Sequence, residues 1–383
     1  MLGKLPFKLL CLAAAVIPMT QTAQSATCKR IRPLFKPATN SPILEKRYQK
    51  NLAETRDAMA LLAFSTYKNS EYGLPGEFGV KSDLIKDAKP LPDGTGFVFT
   101  YQLTSGTATR PAKEAQIVAF RETFTNADWA DNASFFLTIP TPDNRYGLAH
   151  RGFYRSALRM KDLLVGTEDT PGLLDKDPNK PIYLTGHSRG GALAVLVGNM
   201  LIRERGIVPS AVFTFGAPKV GDKDYTDFIF DSRLKDRIHT TNTIGDAAPL
   251  TPPDARLTKL LSEQEGGFLN ELRKQGYGFL VSVMMSQSKK FAFQREFYDI
   301  IPAGQISDGD RCILAVSKLV GDYVRENGID LPDLDADAGG RWRSILAQID
   351  FLSVQDDLDA CREYHTDAYL RELDMTNKVV CGI

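Results

Sequence analysis

Apolar positions in the middle of the chain follow helical and strand periodicities in alternation. Residues 44–67 carry apolar side chains at helical spacing without glycine or proline, which predicts a long amphipathic helix. Strands are predicted at residues 96–103, 115–120, 134–139, 181–185, 211–215 and 237–243, and further helices at 152–164, 190–205 and 222–231. This alternation predicts an α/β fold, with a mostly parallel central sheet covered by helices on both faces.

The N-terminal segment has the pattern of an export signal. Lys4 and Lys8 precede an apolar stretch at residues 9–19, and small residues follow at positions 23, 25 and 26. The stretch is shorter than the ~20 residues that span a membrane. We therefore expect residues 1–26 to be a signal peptide and residues 27–383 to be a secreted or periplasmic protein without a transmembrane segment. A short buried helix or a lipoprotein signal is the alternative.

The expected export makes disulfides between the remaining cysteines chemically favourable, since the secretory environment is oxidising. Removal of the first 26 residues removes Cys11 and leaves Cys28, Cys312, Cys361 and Cys381. An even number of cysteines in a secreted chain favours two disulfides, for which three connectivities are possible. Our hypothesis is a Cys28–Cys381 bond and a Cys312–Cys361 bond.

Charge and histidine content exclude two classes of function. The chain has 47 Lys and Arg residues against 47 Asp and Glu residues, so it lacks the excess positive charge of a general nucleic-acid binder. Its histidines, His150, His187, His239 and His365, do not follow any spacing typical of metal ligands. We therefore expect no multi-histidine metal site.

A Gly-x-Ser-x-Gly motif stands between the predicted strand 181–185 and the predicted helix 190–205. It consists of Gly186, His187, Ser188, Arg189 and Gly190. This pattern in this context is typical of a nucleophile elbow, where a sharp turn projects the serine hydroxyl over the sheet. Side chains at the two glycine positions would collide in that turn. The alternative is a tight strand–helix turn with a serine that has no catalytic role.

A serine nucleophile needs a general base, and the base needs an acid that orients it. On α/β-hydrolase sheets the chain order is serine, acid, histidine. His150 precedes the serine, His187 adjoins it and His239 lies within a predicted strand. By elimination, His365, in a polar stretch, is the candidate base.

Asp246 is the preferred acid because it follows the predicted strand 237–243 through a glycine. The carboxyl ends of parallel strands are where such a sheet places functional side chains. Asp222, Asp224 and Asp254 are the competing candidates.

Several segments, in order, resemble the class 3 (fungal-type) triacylglycerol lipases of the α/β-hydrolase superfamily. They are residues 117–123 with Asp128 and Trp129, residues 150–153, the motif at 186–190, residues 214–221, residues 242–249, and His365 with Tyr369. The resemblance covers roughly residues 44–250 and 360–370 and strengthens the choice of Asp246 and His365.

The resemblance implies an α/β-hydrolase fold and a secreted serine esterase of lipid metabolism that acts on a lipid or small ester, including at a lipid–water interface. Ser188 would attack the ester carbonyl, His365 would transfer the proton and Asp246 would hold the imidazole. Backbone N–H groups of Thr123 and Arg189 would form the oxyanion hole, with the Thr123 hydroxyl as a further donor. No cofactor, metal or nucleic acid is implied.

Two departures from the family pattern affect substrate choice. Glu122 replaces the family's glycine beside the oxyanion hole, where its side chain would narrow the acyl site unless it points to solvent. Asp246 and His365 are 119 positions apart, so we expect residues 254–359 to be an insertion or cap subdomain. Its apolar run at 277–285 fits either a lid over the acyl pocket or a buried subdomain core.

Two other functions remain open on these residues. One is a different serine hydrolase, such as a short-chain carboxylesterase or a phospholipase, because the triad alone does not define the acyl and alcohol pockets. The other is a non-catalytic binding protein that retains the fold.

Overall fold

The fold is described from a computed structural model. The residues that it describes are 27–34, 42–66, 85–91, 94–104, 113–121, 132, 137–138, 146–167, 170–175, 177, 179–243, 245–253, 255–288, 290–291, 308–329, 345, 348, 361, 365, 369 and 378–380.

The strands are β1 (Thr27–Lys29), β2 (Ile85–Pro90), β3 (Gly96–Thr104), β4 (Lys113–Phe120), β5 (Leu137–Thr138), β6 (Ala149–His150), β7 (Ile182–His187), β8 (Ala211–Phe215), β9 (Ile238–Thr241) and β10 (Lys378–Val380). The helices are α1 (Pro42–Ser65), α2 (Arg151–Val165), α3 (Arg189–Arg205), α4 (Lys223–Asp231), α5 (Ala255–Glu263), α6 (Phe268–Leu272), α7 (Gly278–Ser288) and α8 (Asp308–Asn327). A 3₁₀ turn forms at Ala248–Leu250 and a π turn at Arg273–Tyr277.

The central sheet has the strand order β2-β3-β4-β7-β8-β9. Strands β4, β7, β8 and β9 run parallel, whereas β2 and β3 form an antiparallel edge against β4. Each parallel pair from β7 onward is joined by a helix, as short crossover connections require. The prediction of an α/β fold with a mostly parallel sheet is confirmed.

Both faces of the sheet are buried at its centre, in β4, β7 and β8, where successive side chains enter the cores on opposite sides. In β4, Val118 and Phe120 belong to the core under α2 and α3, whereas Ile117 and Ala119 belong to the core under α1. Continuous apolar strands are therefore required here, which is why β4, β7 and β8 were recognisable in the sequence.

Helices α5–α8 pack around a separate hydrophobic cluster. The apolar run at 277–285 contributes Tyr277, Leu280 and Val281 to that cluster, while Phe279 is 79% exposed. A bidentate ion pair joins Arg256 of α5 to the fully buried Asp310 of α8.

The expected Cys312–Cys361 disulfide is present and attaches α8 to the chain four positions before His365. Cys381, of the other proposed disulfide, lies outside the described residues. Nearby in sequence, β10 pairs in parallel with β1.

One strand prediction needs correction, and strand β2 of the central sheet was missed. The strand expected at 237–243 spans only Ile238–Thr241, because the backbone N–H of Thr243 donates to the hydroxyl of Tyr369 instead of to a neighbouring strand. Strand β2 was not predicted, since its sequence is polar and its side chains are largely exposed at the sheet edge. Of the strand expected at 134–139, the described part is β5.

No helix in the described part of the chain is long and apolar enough to cross a membrane. The expected signal peptide, residues 1–26, lies outside the described residues.

Candidate active site

Ser188 lies at the turn between β7 and α3 with a strained backbone. Its φ of 52° and ψ of −129° lie in a region that a side chain normally avoids. The Ser188 backbone N–H donates to the carbonyl oxygen of Phe215 at 2.8 Å, which ties the turn to the end of β8. The surrounding sheet and helix thus hold Ser188 in a conformation that a free chain would not keep.

The two glycines of the elbow are required by close backbone packing. A Cβ atom added at Gly186 would overlap the backbone carbonyl of Gly190, and one added at Gly190 would overlap the carbonyl oxygen of Phe120. The turn therefore leaves no room for a side chain at either position. This agrees with the steric reason from which the elbow was predicted.

Arg189 begins helix α3, and its backbone N–H belongs to the first turn, where amides lack an intrahelical acceptor. Such amides favour negative charge in front of the helix. The Arg189 side chain is buried and donates from Nη2 to Ser156 Oγ of α2 at 3.0 Å. Thr123, the other expected oxyanion donor, and Glu122 lie outside the described residues.

Asp246 is buried just after β9 and accepts several hydrogen bonds. Its Oδ1 accepts from His365 Nδ1 at 2.8 Å and from the backbone N–H of Ala248 at 2.9 Å. Its Oδ2 accepts from the Tyr369 hydroxyl at 2.7 Å. Gly216 leaves the necessary space, because a Cβ atom there would overlap Oδ2.

The Tyr369 hydroxyl is a permanent donor to this carboxylate. The side chain is fully buried, and its hydroxyl also accepts from the backbone N–H of Thr243 at 3.0 Å. Burial and, secondarily, the Asp246 carboxylate raise the pKa of Tyr369 well above 10. The hydroxyl therefore stays protonated and keeps Asp246 in place.

The contacts of His365 define its orientation. Because a carboxylate oxygen accepts, Nδ1 carries the hydrogen in the Asp246 pair, which leaves Nε2 as the acceptor of the neutral ring. The carbonyl oxygen of His365 lies 2.7 Å from His187 Nε2, and the two imidazole rings are 4.4 Å apart. His365 is therefore adjacent to the residue that directly precedes Ser188.

The segment that carries Ser188, Asp246 and the intervening strands also matches a known family. Residues 117–255 match the model of the lipase (class 3) family. These residues belong to the class 3 lipase family. His365 and Tyr369 lie beyond the matched residues.

The relatives of this chain include enzymes with different named substrates. It is 25% identical over 198 residues to secreted mono- and diacylglycerol lipase A of Penicillium cyclopium, covering 50% of this chain and 62% of the relative. It is 27% identical over 182 residues to a lipase of Rhizomucor miehei, covering 46% and 47%. It is 27% identical over 213 residues to phospholipase A1-IIalpha of Arabidopsis thaliana, covering 49% and 50%.

The chain therefore spans 47% to 62% of the length of these relatives. Among solved structures, the crystal structure of M37 lipase is similar with a TM-score of 0.43 at 14% identity, over 86% of this chain and 95% of that one.

Lys219 binds the backbone of residues 250–252, which follow Asp246, and the sequence did not suggest this role. Its buried Nζ donates to the carbonyl oxygens of Leu250 at 2.9 Å and Pro252 at 2.7 Å. Its backbone N–H donates to the carbonyl oxygen of Thr251 at 2.8 Å. The sequence does not indicate these hydrogen bonds, because the partners of Lys219 are backbone atoms and not particular side chains.

The remaining histidines have structural environments. His150 caps helix α2: its Nδ1 accepts from the backbone N–H of Phe153 at 3.3 Å. Burial lowers the pKa of His150 to about 3. His239 lies on β9 with its ring 5.0 Å from that of Phe213. No group of three or more potential metal-binding side chains occurs among the described residues.

Proposed function

We propose that this protein is a secreted serine ester hydrolase that cleaves acylglycerol esters through Ser188, His365 and Asp246. The observation that carries the proposal is the 2.8 Å hydrogen bond between His365 Nδ1 and Asp246 Oδ1, in a His365 that contacts His187, the residue before Ser188 on its strained strand–helix turn. The family membership supports ester hydrolysis as the reaction class.

In the proposed reaction the Ser188 hydroxyl attacks the ester carbonyl while His365 Nε2 takes its proton. His365 then gives the proton to the leaving alcohol. A water molecule next attacks the acyl group on Ser188; His365 takes a proton from that water and returns it to the Ser188 oxygen as the fatty acid leaves. Asp246 stabilises the imidazolium, and its own position is held by the Tyr369 hydroxyl. The backbone N–H groups of Arg189 and Thr123 would stabilise the oxyanion.

The acyl preference separates a lipase from the second candidate, a short-chain carboxylesterase or phospholipase. Relatives named as mono- and diacylglycerol lipase favour an acylglycerol substrate, and a relative named as phospholipase A1 keeps phospholipids open. Glu122, in place of a glycine beside the expected oxyanion hole, favours shorter acyl chains if its side chain narrows the site.

The experiment is hydrolysis of p-nitrophenyl esters from acetate to palmitate by the mature protein and by Ser188→Ala. We expect activity that is highest with long acyl chains and absent in the variant. A maximum at acetate or butyrate would favour the carboxylesterase. Phospholipid vesicles with analysis of the released fatty acid test the phospholipase.

Labelling with a fluorophosphonate probe separates an enzyme from a binding protein that retains the fold. We expect the wild-type protein to be labelled and Ser188→Ala to remain unlabelled. A folded wild-type protein that neither reacts with the probe nor hydrolyses any ester of the series would refute the proposed function.

We propose export through the N-terminal segment as well. Its charged start, apolar centre and small residues support a signal peptide. N-terminal sequencing of the protein recovered outside the cytoplasm is expected to begin at or next to Thr27. Recovery of the full-length chain with Met1 in the cytoplasm would contradict it.

We propose that residues 254–359 form a cap subdomain on the hydrolase body. The separate hydrophobic core of α5–α8 supports this division, and the exposed Phe279 is the side chain best suited to contact lipid. Phe279→Ser is expected to lower hydrolysis of emulsified substrate and to leave hydrolysis of dissolved substrate unchanged. If the wild-type protein and Phe279→Ser hydrolyse emulsified substrate at the same rate, residues 254–359 have a structural role and do not act as a lid.

A further inference from the structure

His187 is held rigidly at the end of β7, directly before Ser188. Its backbone pairs with Phe215 of β8, within the most buried part of the parallel sheet. The imidazole is fully buried, with its ring centroid 4.4 Å from that of Phe64 on α1 and 5.4 Å from that of Tyr369. Its backbone pairing with β8 and its contact with Phe64 hold it independently of the segment that carries His365 and Tyr369.

The His187 ring makes a directed hydrogen bond to that segment. Its Nε2 lies 2.7 Å from the carbonyl oxygen of His365, and since a carbonyl only accepts, Nε2 carries the hydrogen. Burial and the nearby charge of His365 lower the pKa of His187 well below its usual value, so the ring stays neutral with this single hydrogen.

The proposed base is thus held at two atoms by two separate parts of the sheet. The Nδ1 atom of His365 bonds Asp246, which follows β9, and its carbonyl oxygen bonds His187, which ends β7. If only one of these hydrogen bonds were present, the His365 imidazole could still rotate about it. Both together fix the direction of Nε2 relative to the elbow.

We propose that His187 is a positioning residue that sets the geometry of His365 by donating a hydrogen bond to its backbone carbonyl. This inference rests on the proposed function, because it assigns His187 a task in the same reaction. The competing explanation is that His187 only fills space between Phe64 and Tyr369.

Matched substitutions separate donation from packing. His187→Gln keeps an amide donor near the position of Nε2, whereas His187→Asn has the same chemistry with a shorter reach, and His187→Phe keeps a ring without a donor. Misplacing a catalytic group by about 1 Å costs on the order of 10²-fold in rate. We expect kcat to fall about that much in the Asn and Phe variants with KM unchanged, and to remain near wild type in the Gln variant.

His239→Phe is the matched control, because it makes the same exchange on β9, two strands away in the same sheet, where the imidazole ring lies beside Phe213. It is expected to keep the wild-type kcat. Circular dichroism and thermal melting of each variant identify any that fail to fold. If the Phe variant does not fold, the Gln and Asn pair decides.

Equal kcat in the Gln and Asn variants would overturn the inference, as would wild-type kcat in the Phe variant. Either result with an active wild-type protein leaves the proposed function intact. A wild-type protein that is inactive and unlabelled by fluorophosphonate would instead overturn the proposed function and this inference together.

Discussion

Acid is expected to destabilise this protein through His150. Its Nδ1 accepts the first-turn N–H of helix α2 from Phe153, and its Nε2 lies 3.2 Å from the carbonyl oxygen of Asn132. Protonation would replace the acceptor with a second donor, uncap the helix and place a charge in a fully buried site. This environment lowers the pKa of His150 from 6.5 in the unfolded chain to about 3.

The sign and size of the effect follow from this difference. Between these two pKa values the unfolded chain binds a proton that the folded chain does not, so stability falls as the pH falls. One pKa unit corresponds to about 1.4 kcal/mol, so lowering the pH to about 4.5 costs about 3 kcal/mol at this residue. Lowering the pH from above 6.5 to below the folded-state pKa of about 3 costs about 5 kcal/mol at this residue.

His150→Asn tests the argument because asparagine is a good N-cap and does not titrate. Urea unfolding at neutral pH and at about pH 4.5 gives the free energy lost on acidification, and we expect that loss to be smaller in the variant by about 3 kcal/mol. His239→Asn is the control, since this histidine is only half-buried and does not cap a helix. The same acid loss in wild type and His150→Asn would refute the reasoning.

Three further perturbations have expected outcomes. Gly190→Ala should abolish folding or fluorophosphonate labelling because its Cβ overlaps a backbone carbonyl, whereas Gly278→Ala, with open space around it, should raise the free energy of unfolding by about 0.5–1 kcal/mol. Tyr369→Phe removes a charge-assisted hydrogen bond to the proposed acid and should lower kcat about tenfold at unchanged KM, measured with a dissolved ester; unchanged kcat would contradict its role. Replacing Cys312 and Cys361 by serine should lower the free energy of unfolding by about 4 kcal/mol in urea titrations, and no change would mean that the disulfide constrains nothing.

Local sequence patterns were sufficient for the parallel strands and the elbow. Strands β4, β7 and β8 are buried on both faces, so their apolar runs stand out, and the steric need for Gly186 and Gly190 is confined to a few residues. Asp246 and His365 were reached from chain order and family resemblance, and the hydrogen bond between their side chains agrees with that choice.

Contacts between distant segments were beyond the reach of the sequence. His187 and the carbonyl of His365 are 178 positions apart, and nothing in the spacing of either residue indicates their hydrogen bond. Lys219 acts on backbone carbonyls, which every sequence offers equally. Polar β2 becomes a strand only because β3 provides an edge for it, so its structure depends on a neighbour and not on its own composition.

The arrival of His365 from the last part of the chain has a consequence for biosynthesis. Asp246 accepts from His365, whereas the backbone N–H of Thr243 donates to Tyr369 and His187 donates to the carbonyl oxygen of His365. All three partners are translated well before His365 and Tyr369. The hydrolase body can therefore assemble around an elbow that has no base. With the proposed triad, a nascent chain that has passed Asp246 but not yet docked His365 would hold the serine and the acid without the base, and would stay inactive until the segment with His365 and Tyr369 joins them.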